Sequence, residues 1–404
     1  MKWKRILAMI LAVASCLSLA VSASAANTVT RKATDFKDYD RTAWYAEAVS
    51  AAVDNGLLYG KSSTVIDPNG AMTRAEMAAI INRSFGCYKT ADISQYKDVS
   101  KSAWYYKDVA LAVQMGTYNG RSSSAMAPDA PISRQEAMTV VARALELDYD
   151  AYAKTDLSKF ADRDKISAWA LPYIRAMVGA DYIHGRGKNL APLDNITRAE
   201  FAQIFANIIG SYITVKGTYD KDIKGSVLVR TDDVILKDMT VDGDLIIGCG
   251  AADGKIVLDN VTIKGRLLTW GGGTKAVYCN NGTSTPEVIA ARVDDAVKII
   301  FDRDSTLAVI DSIKARITER AKQNKETEII FYDVSGLREA QKQLNAIVAD
   351  NQIDITAPAH LYALVGEAGV KAEFTNNPFP SIVILNFFFT TRHAANKPCK
   401  SENI

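Results

Sequence analysis

The chain has 404 residues, 48% hydrophobic and 23% charged, with 48 basic residues against 46 acidic ones. These proportions exclude a wholly disordered chain, and the length suits several domains rather than one. A formal charge of +2, without long runs of either sign, leaves no electrostatic footprint for nucleic acid.

Residues 1–25 have the grammar of a secretory signal: a basic "MKWKR", an apolar "ILAMILAVASCLSLAV" and an Ala23-Ser24-Ala25 cleavage pattern. A lipoprotein reading of "VASC" is weaker, because the apolar run continues past Cys16. No second run of about 18 apolar residues follows, so no membrane span is expected. Export leaves Cys87, Cys249, Cys279 and Cys399, too few and too scattered for a disulfide framework. Cys249 and Cys279 are either a pair between stacked rungs or free buried thiols.

From residue 34 the chain repeats itself. "FKDYDRTAWYAEAVSAAVDNGLLYG", "YKDVSKSAWYYKDVALAVQMGTYNG" and "FADRDKISAWALPYIRAMVGADYIHG" align, each followed by a proline-containing loop and then by "MTRAEMAAI", "ISRQEAMTV" or "ITRAEFAQI". Trp44 to Gly60, Trp104 to Gly120 and Trp169 to Gly185 are each sixteen residues; Gly to the following Arg is fourteen, fourteen and thirteen. Each unit reads as helix, loop, helix. One such pair cannot bury its apolar stripe, so three together predict a three-fold pseudo-symmetric helical bundle of about 175 residues.

The second helix of each unit opens with a capping box: Thr73 with Glu76, Ser133 with Glu136, Thr197 with Glu200. Met72 with Met77 and Ile196 with Phe201 add hydrophobic staples, and Ile132 with Ala137 a weaker one. Capping explains the Thr and Glu but not Arg74, Arg134 and Arg198, which sit where the helix dipole disfavours a cation. Two partners are open. One is an aspartate of the repeat, Asp38, Asp98 or Asp162; the other is a bound anion held with the helix amides. Trp44, Trp104 and Trp169 are either core residues or faces for a ligand.

Phe36-x-Asp38, Trp44, "GLLYG" and "MTRAE", with their second and third copies, resemble the S-layer homology (SLH) family over roughly residues 34–210. The resemblance implies a three-pronged unit that binds secondary cell-wall polysaccharide, linked to peptidoglycan, in grooves between prongs. It further implies that Arg74, Arg134 and Arg198 meet a pyruvate carboxylate on the sugar. Asp38, Asp98 and Asp162 would orient the groove or bond hydroxyls, Trp44, Trp104 and Trp169 would pack on sugar rings, and Gly60, Gly120 and Gly185 would allow close backbone approach. The third copy departs most, with Asp181 in place of Gly56 and Gly116 and a loop one residue shorter; Gln135 replaces alanine in the second. His184 reads as a solvated loop residue.

Beyond residue 223 short β-branched runs replace helical stripes. "LKDMTVDGDLIIG" and "LDNVTIKGRLLTW" share a frame displaced by 22 residues, which suits rungs of a parallel β-helix-like region over 223–310. Asp238, Asp242, Asp244 and Asp259 read as turn carboxylates rather than catalytic acids or calcium ligands. No nucleophile elbow, phosphate loop or zinc spacing is present. A mixed α/β segment, 311–376, turns helical from Asp311, with a strand at "TEIIFYDV"; 377–404 is an irregular tail.

The expected architecture is therefore a multidomain α plus β chain: signal, 1–25; motifs at 34–90, 94–148 and 158–210; the β-repeat region; the mixed segment; the tail. The expected role is a non-enzymatic anchor at the cell wall or surface layer, without metal or cofactor. The alternative is a wall-anchored lyase or hydrolase whose catalytic domain is the β-region. Self-association in a surface layer stays open.

Overall fold

A computed structural model describes residues 31–334 other than 87, 275 and 276. The elements below lie in the first of two compact units, Met1–Tyr332. The signal segment, Cys87, Cys399, the helix expected near residues 335–351 and the tail fall outside the described residues. Among those described, no helix is long and apolar enough to cross a membrane.

Six helices form three pairs: α1 (Ala46–Asp54) with α2 (Arg74–Ser84), α3 (Tyr106–Met115) with α4 (Arg134–Ala144), α5 (Leu171–Gly179) with α6 (Arg198–Ile208). The capping boxes form as the sequence predicts. Thr73, Ser133 and Thr197 accept from the amides of Glu76, Glu136 and Glu200, whose carboxylates accept from the cap amides. Packing runs across repeats: α2 lies on α3, α4 on α5, and α6 on α1. At the centre Met72 N–H donates to Ile196 O, Ile132 N–H to Met72 O and Ile196 N–H to Ile132 O, each at 3.0 Å. All three side chains are fully buried.

Helix α6 passes into strand β1 (Ile209–Ile213) without a linker. Among the described residues twelve strands follow in two six-stranded sheets, and every ladder between them is parallel. The odd sheet joins β1, β3 (Ser226–Val229), β5 (Leu245–Ile247), β7 (Arg266–Thr269), β9 (Glu287–Ala290) and β11 (Lys314–Ile317). The even sheet joins β2 (Gly217–Tyr219), β4 (Val234–Val241), β6 (Ile256–Ile263), β8 (Val277–Asn280), β10 (Lys298–Phe301) and β12 (Glu328–Phe331). The 22-residue frame is the register itself: Leu236 pairs Leu258, and Thr240 pairs Thr262.

The strands overrun the expected bounds at both ends. They begin at Ile209, and the stretch after Asp311 supplies β11 where helix was expected, while the strand read at "TEIIFYDV" forms as β12. A short helix, α7 (Arg303–Val309), is capped by Asp302, whose carboxylate accepts from Ser305 N–H at 2.8 Å.

The odd sheet is shared by two cores. Leu228, Ile246, Leu268 and Ile289 pack with the helices, while Val227, Leu245, Leu267 and Val288 face the even sheet. Cations of the β-region meet helix carboxyl ends, where the dipole is negative: Arg230 donates to Asn55 O, Arg266 to Leu145 O at 3.0 Å and Arg320 to Gln114 O at 3.2 Å. Trp270, buried, donates its indole N–H to Ala144 O at 2.8 Å.

Cys249 and Cys279 are both free, so the pairing between rungs is not made. Cys279 points into the sheet core beside Leu258, whereas Cys249 sits in a turn with its Sγ 3.4 Å from Asn82 O. Burial pushes the Cys249 thiol up to about 11 and raises that of Cys279 as well.

Candidate functional site

Each arginine of the capping motif crosses into the next repeat. Arg74 Nη1 meets Glu136 Oε1 at 2.9 Å, Arg134 Nη1 meets Glu200 Oε1 at 3.2 Å, and Arg198 Nη1 meets Glu76 Oε1 at 3.2 Å. The cycle closes: first to second, second to third, third to first. Each Nε donates at 2.8 Å to a carbonyl of that neighbour, Met126, Leu190 or Ile66. The arginines are 4%, 4% and 2% exposed. Burial depresses the pKa of Arg134 and Arg198, against the charges of Glu200 and Glu76.

The Arg–Asp pairing considered from the sequence is therefore replaced by an Arg–Glu pairing between repeats. The aspartates hold backbone. Asp38 accepts from the amides of Ile66 and Asp67, Asp98 from Met126 and Ala127, Asp162 from Leu190 and Ala191. Asp67, Ala127 and Ala191 have φ of 59, 53 and 52°, so each aspartate fastens a left-handed kink that L-residues adopt at a cost. The kinked loop then accepts the neighbour's first helical amides: Arg74 and Ala75 N–H donate to Ala130 O and Pro128 O, Arg134 and Gln135 to Asp194 O and Pro192 O, Arg198 and Ala199 to Gly70 O and Pro68 O. The helix-start amides offered to an anion in the sequence reading are thus occupied by protein carbonyls.

The tryptophans lie outside the core. Trp44, Trp104 and Trp169 are 64%, 62% and 51% exposed, which removes the core alternative. Each stands in the turn before the first helix, next to residues that fix it; Tyr105 O–H donates to Asp129 Oδ2 at 3.0 Å, in the loop that covers the start of α2. A Cβ on Gly60 or Gly120 would lie 2.5 or 2.4 Å from the ring of Phe36 or Tyr96, so these glycines admit an aromatic of their own repeat. Gly185 adds a φ of +80°. His184 is exposed, with Nδ1 3.5 Å from Asp181 Oδ1.

Sequence reasoning passed over a second cation on each glutamate. Lys61 Nζ lies 2.6 Å from Glu76, Arg121 3.3 Å from Glu136 and Arg186 2.5 Å from Glu200. Each follows the turn glycine directly, a pattern visible in all three copies, and each side chain is about one-third or more exposed. Burial opposes ionisation of Glu136, but hydrogen bonds from Ser133 and Arg121 and the charge of Arg74 hold it below its ordinary range. Glu200 is held down likewise by Arg186, Thr197 and Arg134. Every junction thus combines a buried Arg–Glu pair with a half-exposed cation, and every repeat adds an exposed tryptophan.

Residues 35–78, 95–138 and 159–202 match the S-layer homology domain. The chain carries three SLH domains. It is 33% identical over 213 residues to the Surface-layer 125 kDa protein of Lysinibacillus sphaericus, covering 52% of this chain and 17% of that protein. Against the S-layer protein sap of Bacillus anthracis it is 22% identical over 354 residues, 86% of this chain and 41% of that protein. An endoglucanase of Bacillus sp. (strain KSM-635) is 24% identical over 210 residues, 51% of this chain and 22% of the enzyme. The chain thus spans less than half the length of each of these relatives. With three SLH domains and surface-layer relatives, it is a secreted cell-surface protein attached to the cell wall.

Proposed function

We propose that the SLH domains hold the chain non-covalently on the wall by binding secondary cell-wall polysaccharide at the junctions between them, with a pyruvylated sugar as the ligand class. The observation that carries this reading is the trio of outward tryptophans, one in each repeat, in a bundle whose every junction also holds a half-exposed cation. Large aromatic faces left in water are costly unless something covers them, and sugar rings present the matching C–H surface. Arg74, Arg134 and Arg198, with Asp38, Asp98 and Asp162, shape the junction in this reading, and Lys61, Arg121 and Arg186 face the ligand. The recurrence of the Arg–Glu pair, the Arg Nε–carbonyl bond and the Asp–amide bonds once per repeat favours a three-fold pseudo-symmetric bundle. The alternating strands favour a β-helix-like coil fixed beneath it.

The glycan-active alternative gains no support from the carboxylates proposed for it. Asp244 is paired with Arg266 at 2.6 Å, Asp242 with Lys264 at 2.7 Å, and Asp238 and Asp259 accept from Asn260 and Asn281 of the next rung. The decisive measurement is co-sedimentation with purified walls before and after extraction of the secondary polysaccharide, and after removal of ketal pyruvate. Loss of binding on extraction is expected; equal binding to stripped peptidoglycan would refute the proposal.

A further inference from the structure

Four Asn-Gly pairs occur in the chain: Asn55-Gly56, Asn69-Gly70, Asn119-Gly120 and Asn281-Gly282. Glycine after asparagine leaves the following backbone nitrogen unshielded by a side chain, so each pair is able to close a cyclic imide on itself. The nucleophile is the glycine nitrogen, which attacks only after giving up its proton. Whether that N–H is already engaged therefore sorts the four pairs.

In three of them it is engaged. Gly56 N–H donates to Val53 O at 2.9 Å, Gly70 N–H to Asp67 O at 3.1 Å and Gly120 N–H to Tyr96 Oη at 3.3 Å. Gly282 N–H has no acceptor among the described residues. The turn accounts for this. Asn281 and Gly282 take φ of 56 and 85°, as a type I′ turn requires, and Thr283 N–H closes it on Asn280 O at 3.1 Å. That closure uses the amide after Gly282 and leaves the glycine's own outside it. A Cβ built on Gly282 would meet no atom within 4 Å, so the turn stands clear of the fold. Asn69 and Asn119 are exposed as Asn281 is, so exposure alone does not separate the pairs.

The neighbours of Asn281 decide what a change there does. Its Nδ2 donates to Asp259 Oδ1 in β6, and its backbone N–H to Asp302 Oδ2 at 2.8 Å. One amide thus sits between two carboxylates at a corner of the stack and supplies the donor that neither acid has. The cation nearest Asp259, Lys237, stands 4.0 Å away. Asp259 also faces the nitrogen that would leave, where a carboxylate stabilises the ammonium as it forms.

We propose that Asn281-Gly282 is a self-modification site of the folded chain, and that the acid formed there loosens this corner of the stack. The Gly282 nitrogen, its proton lost to hydroxide, bonds to Asn281 Cγ; the Cγ–Nδ2 bond breaks, and the departing nitrogen takes a proton from water and leaves as ammonia. Water then opens the imide at either carbonyl to give aspartate or isoaspartate, a net exchange of one water for one ammonia. The new carboxylate faces Asp259 where a donor stood, and like charges in contact repel.

The test ages the full chain in mildly alkaline buffer and follows each asparagine by peptide mass mapping. Conversion at Asn281 is expected about tenfold faster than at Asn55, Asn69 or Asn119. In strong denaturant, where every turn is lost, the four pairs are expected to convert within about twofold of one another. An Asn69 or Asn119 that converts as fast as Asn281 in the folded chain would overturn the proposal. So would the same preference for Asn281 in denaturant, because the sequence and not the free amide would then choose the site. Asn281→Asp in unaged protein reads the consequence: its denaturation midpoint is expected below that of the wild type, by less at high salt, where repulsion from Asp259 is screened. A midpoint equal to the wild type in low salt would sink the loosening of the corner.

Discussion

The bundle and the β-region are both built from repeats, but one closes and the other extends. In the bundle each repeat gives an arginine to the next and the third gives one to the first, so every repeat has two neighbours. In the β-region each rung meets only the rung before and after it, through parallel ladders. Closure lets a short unit bury charge, because each guanidinium finds its carboxylate on the adjoining repeat. Extension relies on apolar ladders: some of its ion pairs, such as Lys264 with Asp242, stay on the surface, and those it buries, Arg266 with Asp244 and Arg292 with Asp294, lie within the stack rather than closing a ring. The two schemes meet at the odd sheet, whose outer face completes the core of the bundle.

The strongest way to break that comparison is at the meeting point. Trp270→Ala removes a buried side chain that packs with the helices and donates to Ala144 O. Loss of a buried tryptophan costs about 3 to 5 kcal/mol. If the bundle and sheet are one cooperative body, helix and sheet signals fall together at lower denaturant concentration. Helical signal that keeps its original midpoint would show that the bundle folds without the sheet.

Next is the ring of charges. Glu136→Ala deletes the cap partner of Ser133 and the only carboxylate within salt-bridge distance of Arg74 among the described residues. Stranding a buried cation costs about 3 kcal/mol or more. By contrast Lys264→Ala, at an exposed pair of the β-region, should leave the denaturation midpoint unchanged. Similar losses from both variants would erase the distinction between closed and extended repeats.

What the sequence disclosed follows the range of the interactions. Capping boxes span three residues, and the three-copy registry spans sixty, so both were legible. The partner of Arg74 was not, because Glu136 lies 62 residues away in another copy, whereas reasoning within one repeat pointed to Asp38. The β-region was legible where strands alternate: β4 and β6 have eight residues each with a buried-exposed rhythm. The odd strands are mostly three or four residues long, and β3 and β5 are buried throughout, so they carry no period-two signal and blur into the surrounding turns. Lys61, Arg121 and Arg186 stood in plain register after each glycine, but a lone cation after a turn reads as solvated surface until its glutamate is placed.

The smallest effect tests the ring by pH. Glu136 and Glu200 have folded pKa values below the ordinary 4.5 of an unfolded glutamate, so their ionised forms stabilise the fold at every pH above that value. That stabilisation is lost as pH falls from about 4.5 through the depressed folded values, because protonation removes the charge facing Arg74 and Arg134 while the arginines stay cationic. The wild-type melting temperature should therefore hold from neutral pH to about 4.5 and then decline. Glu136→Gln has already lost one of the two groups, so its decline should be shallower, starting from a lower plateau. Parallel curves for the two proteins would mean that acid acts elsewhere, on carboxylates such as Asp98, which the amides of Met126 and Ala127 hold below the usual aspartate range against the opposing effect of burial.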